Sequence, residues 1–317
     1  MTFAWIFARH WLAVLLCAFL VSVPAAAQES EMEVDLELVL AVDISLSMDT
    51  EEQRLQRDGY VQAIRHPDVV AAIRDGLLGR VAVTYVEWAG SPSQEVLIPW
   101  TLIDGEAAAE AFADRLAAIP LRRTYRTSIS GALQFSGPLF DGNGFRGLRR
   151  VIDVSGDGPN NQGVPVVPVR DGLVKEGIVI NGLAIMINVL NYDGFFDILN
   201  LDQYYEDCVI GGTGAFIVPV TETAQFAPAI RRKMILEIAG LEPPERQAGS
   251  LPSSGLTRGP THSVDRMADR QWVVGSSPTT TTFKQLHLTA IAAQTTREPV
   301  DCLIGEKLWH RWMEMRE

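Results

Sequence analysis

The sequence predicts an α/β fold: a doubly wound, mostly parallel sheet of six strands, with helices on both faces and one short antiparallel edge strand. Apolar, β-branched segments alternate with helical segments along residues 34–240, which is the order typical of parallel strands joined by crossover helices. The first of these segments, residues 38–42, is apolar without alternation, as expected of a strand buried on both faces. The predicted strands span residues 38–42, 81–88, 94–100, 149–155, 178–187 and 216–220.

Capping residues and helix breakers place the predicted helices between these strands. Asp49 and Glu52 form a capping-box pattern at the start of a helix that runs to about Arg65, and Pro67 prevents this helix from continuing. Pro67 then opens a second, shorter helix that Gly76 ends. Further helices are predicted at residues 106–118, from 127 onwards, and at 165–176, 201–207 and 222–239.

The chain is predicted to consist of an export signal (1–27), one folded domain (28–240) and a low-order C-terminal tail (241–317). In the first segment, Arg9 and His10 precede an apolar stretch and three alanines that offer a cleavage site. An uncleaved membrane anchor stays open as the alternative, although the apolar stretch is short for a membrane span. No other stretch is long and apolar enough to cross a membrane, so we expect a secreted or periplasmic protein.

The predicted tail lacks the period of a helix or a strand over most of its length. Residues 241–281 are rich in Pro, Ser, Thr and Gly, a composition that buries too little apolar surface to form a core. Only residues 283–293 and 302–315 have the pattern of short helices. Two cysteines remain after export, Cys208 and Cys302, and the sequence leaves open whether they form a disulfide or stay two separate thiols.

The charge distribution limits the partners that the domain can bind. The whole chain has a net charge of −12. Residues 28–240 alone carry −13, whereas the charges of residues 241–317 balance to zero. An acidic domain disfavours nucleic acid and anionic membrane surfaces, and it is compatible with cation binding.

Hydroxyl and carboxylate side chains follow the first strand directly. Asp43, Ser45 and Ser47 are each two residues apart, so a looping chain can turn their oxygens to one side. One carboxylate and two hydroxyls are hard oxygen donors of low total charge, which suits Mg²⁺. An aspartate also follows the fourth strand, and ligands in open α/β sheets gather beyond the carboxyl ends of the strands. We therefore prefer Asp157, which leaves that strand, to Asp153, which lies inside it.

Three segments in this order resemble the metal-ion-dependent adhesion site of von Willebrand factor type A domains. They are the D-x-S-x-S pattern, the T-x-x-x-x-A-L pattern that begins at Thr127, and the strand that exits into Asp157-Gly158. The resemblance covers about residues 34–240. It implies that the hydroxyls bind a divalent cation directly, that the carboxylates usually bind through water, and that one position stays open for an acidic group of a partner. The implied metal ligands are Asp43, Ser45, Ser47, Thr127 and Asp157.

Two further points concern the expected cation and one residue that departs from the family pattern. Mg²⁺ is the cation we expect, with Mn²⁺ or Ca²⁺ as alternatives. Members of the family usually have Gly before the Thr, whereas this chain has Arg126. Arg126 would place a fixed positive charge beside the site, and Arg122 and Arg123 could add to it. The phrases VIDVSGDGPNNQG, TYVEWAG and DCVIGG resemble a branch of exported bacterial proteins with this domain whose role is undefined.

The sequence contains no pattern typical of a catalytic centre. G-x-S-x-G, H-E-x-x-H and Cys-x-x-Cys are missing. We interpret His66 as a cap or surface residue, and Tyr204, Tyr205 and Asp207 as packing and surface residues. We therefore expect an exported adhesion or scaffold module that binds an Asp or Glu of a partner protein through its cation. The alternative is a metal-dependent hydrolase that uses the same ion as a Lewis acid.

Overall fold

The computed structural model describes residues 31–187, 198–243 and 297–316, so the predicted export signal lies outside the described residues. The strands are β1 (Met32–Val34), β2 (Leu36–Asp43), β3 (Val81–Trp88), β4 (Gln94–Ile103), β5 (Phe145–Gly147), β6 (Arg150–Gly156), β7 (Ile178–Ile185) and β8 (Ile217–Val220). The α-helices are α1 (Thr50–Ile64), α2 (Pro67–Arg74), α3 (Glu106–Ala118), α4 (Ile129–Ser136), α5 (Val166–Lys175), α6 (Leu201–Tyr204), α7 (Phe226–Ala239) and α8 (Ile304–Glu314). A π-helical turn, Tyr205–Val209, continues α6.

The central sheet has six strands in the order β4-β3-β2-β6-β7-β8. All neighbours pair in parallel except β3 and β4, so the predicted fold class is confirmed. The edge strand is antiparallel as predicted, but the prediction that it is short is wrong. It has 10 residues, because the chain continues beyond Trp100 and pairs Thr101–Ile103 with the start of β3. A small parallel sheet of β1 and β5 was not predicted, since three-residue strands are too short to have a period.

Strand β2 forms the centre of the molecule because both of its faces are buried. Leu38 and Leu40 pack on the side of α1, α2, α3 and α7, whereas Val39 and Ala41 pack on the side of α4, α5 and the π-helical turn. Successive side chains of a strand point to opposite faces, so a continuous apolar run is needed to fill both layers. The buried central strand that the sequence predicts is therefore confirmed.

The predicted caps of the first two helices are present. Asp49 accepts hydrogen bonds from the backbone of Glu51 and Glu52, and the Glu52 side chain accepts one from the backbone of Asp49. His66 caps α2, because its Nδ1 accepts a hydrogen bond from the Asp68 backbone at 3.1 Å. This histidine therefore has the capping role that the sequence indicates.

Residues 297–316 lie in the predicted tail, and α8 falls within the short helix that the sequence indicates at 302–315. Cys208 and Cys302 form a disulfide, which decides between the two alternatives that the sequence left open. Arg297 pairs with Glu206 and Asp207. Composition could not indicate these contacts, because they are to residues about 90 positions away along the chain. The rest of the predicted tail, residues 244–296, lies outside the described residues.

A network of charged side chains is buried between the sheet and α7. Lys233 Nζ lies 2.7 Å from Asp153 Oδ1 and also contacts Glu237, and Asn181 donates a hydrogen bond of 2.9 Å to Glu237. Lys233, Asp153 and Glu237 are all fully or almost fully buried. Buried charges are tolerated only when they are paired, so Asp153 is committed to the core of the domain.

This network predicts how stability depends on pH. Burial, assisted by the charge of Asp153, raises the pKa of Glu237 from 4.5 to about 7. The folded state therefore binds more protons than the unfolded state between these two values, and stability should fall as the pH rises through this window. Urea unfolding at a series of pH values should show Glu237→Gln gaining up to about 3 kcal/mol relative to wild type across the window.

The control for this experiment is Glu222→Gln, because Glu222 is exposed. It should follow the wild-type curve at every pH. Parallel curves for Glu237→Gln and wild type would show that Glu237 does not titrate with folding.

Candidate metal centre

Three loops meet beyond the carboxyl ends of β2 and β6. They comprise residues 43–49 after β2, residues 122–128 before α4, and residues 156–164 after β6. The second loop is bonded to the first, since the Thr124 backbone donates to Ile44 O at 3.0 Å. It is bonded to the third by hydrogen bonds between Thr127 and Asn161, one from each backbone N–H, at 3.0 and 2.9 Å.

Hydrogen bonds connect four of the five predicted ligands. Ser45 N donates to Asp43 Oδ1 at 2.7 Å, and the hydroxyls of Ser45 and Ser47 are 2.8 Å apart. Ser47 Oγ then donates to Asp157 Oδ1 at 2.7 Å, which joins two loops that are 110 residues apart in sequence. The fifth predicted ligand, Thr127, is buried in the adjoining loop. We call these five residues the metal-site group.

Asp43 is the buried end of this group. Its side chain is fully buried, and no donor in the described parts of the chain forms a hydrogen bond with Oδ2. Burial, followed by the charge of Asp157, raises the pKa of Asp43 well above its ordinary value. A carboxylate oxygen without a partner is costly in the interior, so this atom is the strongest structural indication of a bound cation.

Gly156 leaves the space that this carboxylate needs. A Cβ atom at this position would lie 2.9 Å from Asp43 Oδ2 and 2.8 Å from the hydroxyl oxygen of Tyr205. Both distances are shorter than real Cβ contacts, so any larger residue at the end of β6 would displace one of the two groups. Steric space therefore favours glycine at this position.

The donor set fits a hard divalent cation. Two carboxylates and three hydroxyls supply oxygen only, which suits Mg²⁺, Mn²⁺ or Ca²⁺. Across residues 31–187, 198–243 and 297–316, no three or more His, Cys, Asp or Glu side chains are grouped so that they could hold a metal. A cation at the metal-site group therefore depends on the Ser and Thr oxygens. Its charge would also offset the repulsion between Asp43 and Asp157.

The two arginines Arg122 and Arg123 are used mainly to hold the loops. Arg123 donates to the backbone oxygens of Leu46 and Met48, so it fixes the loop that carries both serines. Arg122 pairs with the buried Glu87 at 3.1 Å and with Glu95. The sequence indicates both residues only as positive charge near the site, because these contacts depend on which carbonyl and carboxylate groups the fold brings near.

Arg126 adopts a backbone conformation that glycine favours. Its φ is +77°, in the left-handed region that glycine occupies without strain. Its guanidinium carbon lies 3.1 Å from the ring centroid of Trp309. The residue before Thr127 is therefore held by a side chain of α8, a contact that no sequence pattern predicted.

The end of α6 and the start of the π-helical turn bring two tyrosines to the site. Tyr204 accepts a hydrogen bond of 3.1 Å from the Asn160 backbone and so supports the loop that follows Asp157. Tyr205 is fully buried, and burial followed by the charges of Asp43 and Asp157 raises its pKa well above the ordinary value. The sequence predicts packing and surface roles for both. π-Helical turns often occur at functional sites, but they have no sequence signature that would have revealed this one.

The strand order, the parallel pairing and the loops at the carboxyl ends are consistent with the fold of von Willebrand factor type A domains. The chain belongs to the family described as "Protein of unknown function (DUF1194)", whose family model matches residues 33–242. No curated protein sequence matches the chain.

Solved structures with a similar fold have low sequence identity to this chain. Proximal thread matrix protein 1 from the mussel byssus is 15% identical with a TM-score of 0.49, over 66% of this chain and 49% of that protein. The chain thus spans about half the length of the mussel protein. Another structure of the mussel protein is described with a zinc-occupied MIDAS motif, at 14% identity, TM-score 0.44, and coverage of 66% and 49%. The vWF domain of the pilus tip protein Mfa5 from Porphyromonas gingivalis is 10% identical with a TM-score of 0.48, over 66% of this chain and 97% of that domain.

The metal-site group predicts a single cation site per chain. Calorimetric titration with Mg²⁺ or Mn²⁺ should give a stoichiometry of one, and Asp43→Ala or Asp157→Ala should abolish binding, because each removes a carboxylate of the group. Asp153→Asn should retain binding, since Asp153 pairs with Lys233 in the core. Loss of binding in a folded Asp153→Asn variant, with binding retained in Asp157→Ala, would mean that the wrong aspartate was chosen.

Proposed function

We propose that the protein is an exported, metal-dependent protein-binding module, which binds an Asp or Glu side chain of a partner protein through a divalent cation. The observation that carries this proposal is the connected group from Asp43 to Asp157. Its inner end is a buried carboxylate oxygen without a donor in the described residues. Its most exposed member is Ser47. A cation bound between Asp43 and Ser47 would have one coordination position on the exposed side, where a partner could reach it.

Electrostatics support a role for the cation in recognition. Residues 28–240 carry a net charge of −13, so an acidic partner group would be repelled by the domain as a whole. A divalent cation held by two carboxylates and neutral hydroxyls provides local attraction at one point. Binding would then be specific for a carboxylate that reaches the cation.

Export is part of the proposal and rests on two features. The first is the signal pattern of residues 1–27. The second is the disulfide between Cys208 and Cys302, since disulfides persist in oxidising compartments. No helix in the described parts of the chain is long and apolar enough to span a membrane. We propose a secreted or periplasmic location.

Mg²⁺ is the proposed cation. The group offers only two carboxylates, and Mg²⁺ commonly binds to one or two carboxylates while it keeps several water ligands. Mn²⁺, Ca²⁺ and Zn²⁺ belong in the same titration series, because oxygen sites often accept several of these ions.

The proposal predicts that partner capture requires both the cation and a partner carboxylate. Mature protein on a matrix should retain a partner from the native cell envelope with Mg²⁺ and release it with chelator. Ser45→Ala/Ser47→Ala should retain none, because two hydroxyl ligands are missing. Ser91→Ala should behave as wild type, since Ser91 is exposed in the turn before β4 and lies outside the metal-site group. Amidation of the partner's carboxyl groups should also abolish capture.

Two outcomes would contradict this function. Equal capture in chelator and in Mg²⁺ would make any bound ion structural. Turnover of ester or phosphoester substrates by wild type, lost in Asp43→Ala, would favour the hydrolase alternative instead.

A further inference from the structure

Residues 297–316 form a segment that we call the C-terminal strap. The strap begins at the π-helical turn, where Cys302 is bonded to Cys208 and the Val300 backbone donates to Asp207 at 2.8 Å. It continues as α8 to the loops of the metal-site group. The strap therefore joins the side of the domain to the rim on which the candidate site lies.

The first contact of the strap with the site is made through Asn160, three residues after Asp157. Asn160 Nδ2 donates to Glu306 Oε1 at 2.7 Å, and Asn160 Oδ1 accepts from the Ser130 backbone at 3.0 Å. Asn160 is completely buried. The backbones also touch, since a side chain at Gly305 would overlap with the carbonyl oxygen of Asn160. Glu306 thus holds the residue that links the Asp157 loop to the first turn of α4.

The second contact is made through Arg126, directly before Thr127. The left-handed backbone of a residue with a side chain is strained unless its surroundings compensate. Stacking of the Arg126 guanidinium on Trp309 is a cation–π contact, which is attractive. Trp309 can therefore hold Arg126 in the conformation that places Thr127.

We propose that the C-terminal strap is a positioning element of the metal centre. Glu306 and Trp309 hold Asn160 and Arg126, and through them the two loops that carry Asp157 and Thr127. The disulfide anchors the strap to the domain. This inference rests on the proposed function and extends it, because the affinity for the cation becomes dependent on residues outside the family-matched part of the chain (33–242) and on the oxidation of two cysteines.

The test is Mn²⁺ affinity, measured by calorimetry on the full mature chain. Trp309→Ala and Glu306→Ala should each weaken binding about fivefold to tenfold, which corresponds to the loss of one contact of this kind. Trp309→Phe should restore most of the affinity because the aromatic face remains. Glu306→Gln should do the same because its carbonyl oxygen still accepts from Asn160. Met313→Ala is the matched control, since Met313 is exposed on the same helix.

The disulfide is tested by Cys208→Ala/Cys302→Ala. This variant should lose at least as much Mn²⁺ affinity as Trp309→Ala, and limited proteolysis should cut its strap faster than that of wild type. A strap that only stabilises the fold would lower the melting temperature of these variants and leave Mn²⁺ affinity unchanged. That result would overturn the inference while wild-type binding keeps the proposed function intact. Absence of Mn²⁺ binding by wild type would overturn the proposed function and, with it, the inference.

Discussion

The burial of one carboxylate at the end of the central strand constrains the whole rim of the sheet. Strand β2 is covered on both faces, and its last residue, Asp43, stays in the interior. A charged group in this position must be compensated. The surrounding residues serve that need: the Ser45 backbone donates to one oxygen, Gly156 leaves room for the other, and the hydroxyls extend towards Asp157.

Two aspartates, one inside β6 and one just beyond it, illustrate how the fold separates structure from binding. Asp153 lies beside Leu40 in the register of β6 against β2, on the face covered by α7, where Lys233 pairs with it. Asp157 comes four residues later, beyond the end of β6, where it is only partly buried. One aspartate therefore forms an ion pair in the core, and the other is a candidate metal ligand at the rim of the sheet.

The sequence predicted the parts of the structure that depend on local pattern. Apolar runs located the six strands, capping residues located α1 and α2, and the ends of two strands located Asp43 and Asp157. The structure adds what depends on distant contacts. The Arg123 bonds to Leu46 and Met48 join residues 77 and 75 positions apart, and the π-helical turn has no periodic signature. The contacts of the strap could not be predicted either, because they depend on a disulfide and on Asn160 and Arg126 rather than on a core of its own.

The disulfide between Cys208 and Cys302 spans 94 residues, and this separation has a consequence for the order of assembly. A chain is synthesised from its amino terminus, so every strand of the sheet is made before Cys302. The disulfide can form only after Cys302 has been made. Closing a loop of about this length removes on the order of 4–5 kcal/mol of chain entropy from the unfolded state. A chain that ends before Cys302 would therefore contain every strand of the sheet but lack the contacts of α8 with the rim.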